Sequence, residues 1–474
     1  MVERVLQARE GRLLQLAHPL AGELELTTDL LQREALLAVE AEAKLEHSPA
    51  FLNRRTQNWL VLGLTYAAMY MARYNFPLAN KALSDAYGWD KAQVGLIIST
   101  ATLIYGISAL FNGPLADRFG GRRAMIIGAT GATVFNLLFG LGAYLGILGT
   151  GPVLLGYFAT VWTLNMYFQS YSALALIKVN SGWFHVSERG VFSAIFGSMI
   201  QSGRFLVFLL LGAAFVAALP WQWKFFIPAI ITALMAFLTW RTVQDTPMDA
   251  GLPHFDPQDA TSGDTERITF GYVARKVFTN PVAVTIAIAE FCTGLVRGGF
   301  EQWFPRYMQE VQHLDLTNPV FQKNALIIVG AGIAGAFIAG FASDKLFGHR
   351  RPPVAFLGYL LQVGCLFVVW KAPSMEMVIG AFVLNSLGIS MVHSMLSGTA
   401  SMDFGGKRAA ATAAGMFDGM QYVGQSCVGW GMGMLLDRYG WSVWGPSMLV
   451  FAGLGAVLMV TLWNARPSRG ASAH

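Results

Sequence analysis

Two arginines stand in stretches that otherwise suit hydrocarbon. Arg73 lies in "YMARYNFPLANK" (70–81), against the end of the run "NWLVLGLTYAAMYM", and Arg297 lies in "CTGLVRGGFEQWFP" (292–305). A cation at the centre of a membrane helix costs roughly 2.5–3.5 kcal/mol on insertion scales, so it is kept where it faces a partner or a watered cavity. A guanidinium is a planar fork of donors, suited to holding two oxygens of a phosphate or a carboxylate. Tyr66 and Tyr70 precede Arg73 by seven and three positions, which sets them on the same helical face. Two readings are open. Either the arginines face one another and clamp an anion, or each pairs with a carboxylate such as Glu290, Glu301 or Asp418 and locks helices together.

The elements that must position them are membrane helices. Only 13% of the 474 residues are charged and 54% are hydrophobic, whereas a soluble chain carries about 25% charged residues. Apolar runs of about twenty residues, enough to cross a bilayer, recur over 57–79, 93–115, 124–147, 152–177, 190–218, 223–242, 279–303, 323–343, 353–371, 375–399, 410–436 and 441–464. The expected fold is an all-α membrane protein with twelve transmembrane helices in two pseudo-symmetric six-helix bundles. Glycine, 51 in all, is frequent inside the runs, as in closely packed membrane helices. Both arginines fall about 16–18 residues into segments that start on one side, so at about 1.5 Å per residue they reach similar depth.

Five segments follow from this pattern. Residues 1–56 are charged and lack the apolar core of a secretory signal, so they form a cytoplasmic extension. Their helical periodicity suits a solvated or membrane-surface helix, or one that docks on a partner. Residues 57–242 make the first bundle, 243–276 a cytoplasmic linker rich in Pro, Asp, Gly and Thr, 277–464 the second bundle, and 465–474 a cytoplasmic tail. Basic residues favour the loops on the side of the termini, which places that side in the cytoplasm of a cell (inner or plasma) membrane. The three cysteines have no metal-ligand spacing, so neither a metal nor a cofactor is expected. The balance of +5 is spread over loops, which argues against nucleic acid and leaves the lipid bilayer as the surrounding partner.

The halves echo each other. "GPLADRFGGRR" (113–123) follows the second run and "GFASDKLFGHRR" (340–351) follows the eighth. Arg189 in "SERGVFSAIFG" and Arg408 in "GGKRAAATAAG" keep nearly the same phase, as do Arg73 and Arg297. A duplicated six-helix unit with its site between the halves is a transporter architecture. On these residues the chain resembles the major facilitator superfamily over about 57–464. The resemblance implies a gate in which Asp117, Arg118, Arg122, Asp344 and Lys345 latch cytoplasmic helix ends.

Five further pieces, "YAAMYMARYNFPLA", "GWFHVSERG", "DTPMDAGLP", "VRGGFEQWFPRYMQEV" and "KRAAATAAG", are similar to the organophosphate:phosphate antiporters, the glycerol-3-phosphate and hexose-phosphate carriers. That likeness implies that Arg73 and Arg297 clamp phosphate, that Tyr66, Tyr70, Tyr105 and Tyr422 line the cavity, and that Asn165 and Gln169 match a fourth-helix pattern. The chain departs where those carriers have a lysine (Ala109), a histidine (Ile200) and a tyrosine (Gly294). Arg204 either restores the missing cation or pairs with an interior acid. His393 is a packing residue or a proton relay.

The expected function is alternating-access transport of a small organic anion, an organophosphate exchanged for inorganic phosphate, by a monomer. A proton symporter of the same superfamily, with Glu290, Asp418 or His393 as coupling group, stays open. So does a transporter-like sugar-phosphate sensor that signals to a kinase. No nucleophile, base and acid converge as in an enzyme.

Overall fold

The computed structural model describes residues 48–144, 151–184, 203–211, 219–255, 279–348, 350–371 and 374–464, with the side chains of 110, 113, 114, 117, 181, 344 and 398–415 left aside. The helices are α1 (Pro49–Tyr87), α2 (Lys91–Phe119), α3 (Gly121–Leu141), α4 (Pro152–Gln169), α5 (Tyr171–Trp183), α6 (203–211), α7 (Trp223–Thr242), α8 (Pro281–Glu310), α9 (Pro319–Phe341), α10 (Arg351–Lys371), α11 (Met375–His393), α12 (Ala400–Tyr439) and α13 (Trp444–Thr461). Eleven of the twelve expected spans are occupied by these helices, α4 and α5 sharing one. Of the span 190–218, only 203–211 falls among the described residues.

Local chemistry sets the ends. Ser48 caps α1, accepting from the Phe51 amide at 3.3 Å, with Pro49 in the first turn. Asp90 and Gln93 form a reciprocal capping box on α2, and Asn280 and Asn318 cap the proline-led starts of α8 and α9. α1 is 39 residues long, which at about 1.5 Å per residue exceeds the ~30 Å hydrocarbon core. Eight helices (α2, α3, α7–α11 and α13) are long and apolar enough to cross a membrane on composition alone. The polar α1, α4 and α12 fall outside that set because they turn Arg, Asn, Gln and Tyr toward the interior. Exposed Leu234, Phe237, Val450 and Val457 clothe the outside.

α1 and α3 pack on α7, and α4 packs on α2 and α3. In the second half α11 packs on α9 and α10, while α13 packs on α8 and α10. The halves meet mainly along α2 and α12. A Cβ on Gly95 would fall on the Gly429 carbonyl, and one on Gly433 would fall on the Lys91 carbonyl, so only glycine admits this approach. Ser99 donates to the Ser426 carbonyl and accepts from the Trp430 amide at 2.7 Å.

Away from the chain termini this seam ends in a polar knot. Asp437 on α12 accepts from the Lys91 and Ala92 amides at 3.0 and 2.8 Å, capping α2 from the other half. Buried Arg306 donates to Asn80 and Ser84 on α1 at 2.9 and 2.8 Å and to Glu310 at 2.6 Å. Glu310 in turn takes the Trp441 indole N–H at 2.9 Å and pairs with Lys91 at 3.2 Å. The bundle is closed at this end.

At the opposite end a second clamp lies within the first half. α3 starts at Gly120, which has no capping side chain. Asp245, just past α7, supplies the cap by accepting from the Arg122 amide at 2.7 Å. The Arg122 side chain reaches back to the Trp240 carbonyl and, at 3.3 Å, to Gln244. Asn58 exchanges two 2.8 Å hydrogen bonds with the Gln244 backbone, and Trp183 donates to the Gln244 carbonyl at 3.0 Å. Burial pushes the Asp245 carboxyl above its ordinary pKa, and the Arg122 amide opposes that rise. Removing the cap with Asp245→Ala is expected to cost about 1 kcal/mol. Asp245→Asn, which still caps and has no charge to desolvate, should cost less; thermal unfolding of the detergent-solubilised protein reads the difference.

Candidate anion-binding site

Arg73 and Arg297 stand on α1 and α8 where the two halves meet. Both are buried, 7% and 9% exposed, and Arg73 lines a cavity together with Tyr74, Thr102, Glu301, Gln302, Tyr422 and Gln425. Backbone chemistry places Arg73. Pro77 lies within α1, and a proline supplies no N–H to the carbonyl one turn earlier. Beside Arg73 the Ala72 carbonyl accepts from Asn136 at 3.1 Å and Asn165 at 3.3 Å, while Asn75 donates to Asn136 at 2.8 Å. Asn165 is therefore bound inside the first half, anchoring the segment that carries Arg73.

The partners of Arg73 are uncharged. Its Nη2 donates to the Tyr105 hydroxyl at 3.2 Å, the Gln169 side-chain oxygen at 3.4 Å and the Gln169 carbonyl at 3.5 Å. The cation also lies over the rings of Tyr105 and Tyr70, at 4.4 and 4.8 Å. Nε and Nη1 are buried and find no partner among the described residues. Tyr66 packs edge-on against Tyr70, which stacks on Tyr74, and Tyr422 reaches from α12 to within 4.3 Å of the Tyr105 ring centre. Buried donors left open are rare and need an acceptor.

Arg297 is held differently. Its Nε pairs with Glu301 at 3.1 Å, Nη1 donates to Gln421 at 3.1 Å, and Nη2 donates to the Tyr74 hydroxyl at 3.4 Å. Glu301 also pairs with Arg204 at 2.9 Å and accepts from Tyr74 at 3.1 Å. Arg204 lies over the Tyr74 ring at 4.7 Å. The locking arrangement thus holds for Arg297, through Glu301, and Arg204 is paired with an interior acid. For Arg73 no carboxylate partner is found among the described residues. Among the described contacts of Arg73, Arg204 and Arg297 the one carboxylate is Glu301, so these four side chains together carry two positive charges.

The remaining expected residues fall into two groups. Glu290 is fully buried, takes a hydrogen bond from Gln421 at 3.0 Å and lies 3.9 Å from His393, while Asp418 accepts from Ser397 at 2.6 Å. These stand behind Arg297, at one flank of the site. Arg118 and Lys345 are exposed at helix ends, and Arg122 belongs to the clamp on α3 described above. The side chains of Asp117, Asp344, Lys407 and Arg408 lie outside the described residues, as do Arg189, Ile200, Gln201, residues 1–47, 256–278 and 465–474. Gly294 has a physical reason: a Cβ there would strike the Gln421 carbonyl, so glycine lets α12 bring Gln421 to Arg297.

Sequence reasoning missed Tyr74, Gln421 and the double pairing of Glu301. The four-residue spacing of Arg297 and Glu301 is a legible signal for an intrahelical pair. Nothing local points to Gln421.

Residues 62–429 match the Major Facilitator Superfamily. The chain belongs to that family. Its members are membrane transporters, not enzymes, and the chain is a multi-pass membrane protein. It is 29% identical over 457 residues to the membrane sensor protein UhpC of Escherichia coli (strain K12), covering 92% of this chain and 99% of that one. A probable hexose phosphate transport protein of Chlamydia trachomatis is 27% identical, covering 85% and 89%. The glycerol-3-phosphate transporter of Bacillus subtilis is 27% identical, covering 88% and 94%. Among solved structures, an inward-facing, unoccupied bacterial homolog of the human lysosomal transporter Spinster superposes with a TM-score of 0.65 at 15% identity, covering 88% and 94%. The D-xylose-proton symporter gives 0.61 at 15%, covering 86% and 97%. These likenesses establish the major facilitator fold.

Glu301 holds two guanidiniums and one hydroxyl, so its loss should be felt in stability. Glu301→Gln is expected to cost about 3–5 kcal/mol, the range for breaking a buried ion pair from one side. Tyr74→Phe should cost about 1 kcal/mol. Unfolding midpoints in detergent test the order, and equal, small losses would contradict the shared counter-ion.

Proposed function

We propose that this chain carries a small organophosphate across the membrane by alternating access, in exchange for inorganic phosphate. The observation that carries the reading is Arg73: a buried guanidinium whose Nε and Nη1 find no partner among the described residues, lining an interhelical cavity beside Arg204, Arg297 and Glu301. A phosphate monoester bears about −1.5 to −2 charges near neutral pH, so one substrate group answers both the open donors and the charge. The names of the relatives, hexose phosphate and glycerol-3-phosphate transporters, point to the same class.

Exchange follows from charge compensation. Closing the halves over an empty site drives like charges together in a medium of low dielectric, whereas a bound dianion bridges them. The rocking units are residues 57–242 and 277–464, with 1–56, the linker 243–276 and the tail 465–474 on the cytoplasmic side of a cell membrane. Asp117, Arg118, Arg122, Asp344 and Lys345 gate that side, and the protein acts as a monomer. A second reading, a receptor for a phosphorylated sugar, is favoured by the length-wide likeness to the membrane sensor protein.

Counterflow of labelled phosphate in proteoliposomes, run against glycerol-3-phosphate and glucose-6-phosphate, decides between them. Rapid exchange supports the carrier. Saturable binding without flux supports the receptor. Arg73→Lys and Arg297→Lys should each lower phosphate affinity at least about tenfold with insertion intact, because an ammonium lacks the fork that holds two oxygens. Near-normal affinity in either variant would remove that residue from the clamp.

A further inference from the structure

Behind Arg297 lies a group of side chains that the transport reading leaves unused. Gln421 links them. An arginine can only donate, so the amide atom facing Arg297 Nη1 must be the oxygen, at 3.1 Å. The amide nitrogen then faces two acceptors, Glu290 Oε2 at 3.0 Å and His393 Nδ1 at 2.8 Å. With both bonds made, His393 Nδ1 carries no proton. Glu290 Oε1, 3.9 Å from His393 Nδ1, is buried without a hydrogen-bond partner among the described residues.

The pair is asymmetric in its access to water. Glu290 has no exposed side-chain surface, whereas His393 is 33% exposed, so a proton enters at the histidine. Other titratable groups surround the two. Asp418 approaches from α12 and is held by Ser397. Tyr359 comes from α10, with its hydroxyl bonded to the Ala289 carbonyl and to Thr293 at 2.7 Å each. Around Arg297 stand Glu301, Tyr74 and Tyr422.

We propose that Glu290 and His393 form a proton site that sets the anion affinity of Arg297 through the Gln421 amide. A proton taken from water by His393 Nδ1 turns that nitrogen from acceptor to donor. It can then no longer receive the amide N–H, and its own N–H turns to the open Glu290 Oε1. Gln421 loses one of its two anchors and loosens its hold on Arg297 Nη1. That N–H becomes available to an anion. The sign is fixed: anion binding tightens as the pH falls, and by linkage a bound anion raises the proton affinity of the pair.

The inference rests on Arg297 being part of the anion site, and the test keeps the two apart. Inorganic phosphate binding to the full-length protein in detergent is measured by calorimetry at about pH 5.5 and 8.5, the range over which imidazoles titrate. Wild type, Glu290→Gln, Gln421→Met and Arg297→Gln are compared, and ratios between proteins cancel the titration of phosphate itself. The affinity ratio of wild type to Glu290→Gln should rise on the order of tenfold from the higher pH to the lower, because the variant offers no carboxylate to draw the protonated imidazole away from the Gln421 amide. Gln421→Met should bind with a constant ratio to Glu290→Gln at both. A wild-type to Glu290→Gln ratio that stays constant would overturn the relay. So would a pH-dependent ratio that persists in Gln421→Met, since charge alone would then be acting. Phosphate binding that survives Arg297→Gln unchanged at both pH values would instead sink the anion-site reading.

Discussion

A guanidinium cannot give up its charge, and in a membrane interior every one of its donors must be answered. The interior of this protein is arranged around that demand. Asn75, Asn136 and Asn165 fasten the turn that carries Arg73, and Tyr105 and Gln169 answer one edge of it. Glycine at 294 exists so that a second helix can bring an amide to Arg297. Even the polar composition of α1, α4 and α12 is a consequence, since those helices supply the answering groups.

The duplicated halves solve the problem in opposite ways. In the first half the arginine is met by a hydroxyl, an amide and aromatic faces, all neutral. In the second half it is met by a carboxylate that also holds Arg204 from the first. A pseudo-symmetric scaffold therefore presents an asymmetric charge pattern, open on one side and self-compensated on the other. That asymmetry leaves the open guanidinium nitrogens on the Arg73 side.

Much of this was legible in the sequence, and the boundary of legibility is physical. Arg73 and Arg297 declared themselves because a charge inside an apolar run is costly, and their matched depth followed from helical rise alone. Tyr66 and Tyr70 followed from helical spacing. The first helix was expected over 57–79 and runs from Pro49 to Tyr87, because the polar residues beyond the hydrocarbon still favour helix. The break at Ser170 carries neither glycine nor proline to announce it. Arg204 with Glu301, and Gln421 with Glu290, join residues 97 and 131 positions apart, and no local pattern encodes which distant side chain meets which. Asp245 was visible as part of "DTPMDAGLP", yet its task depends on where the start of α3 comes to lie.

The seam between α2 and α12 carries one more consequence. At Gly95, Gly429 and Gly433 the two helices touch backbone to backbone, and at Gly429 the small Ser99 hydroxyl sits between them. Ordinary helix pairs mesh ridge into groove, and shifting one past the other means climbing out of each groove in turn. A stretch with such low ridges has little to climb. Its low relief has the form of a plain bearing: two surfaces in close contact with little interlock between them.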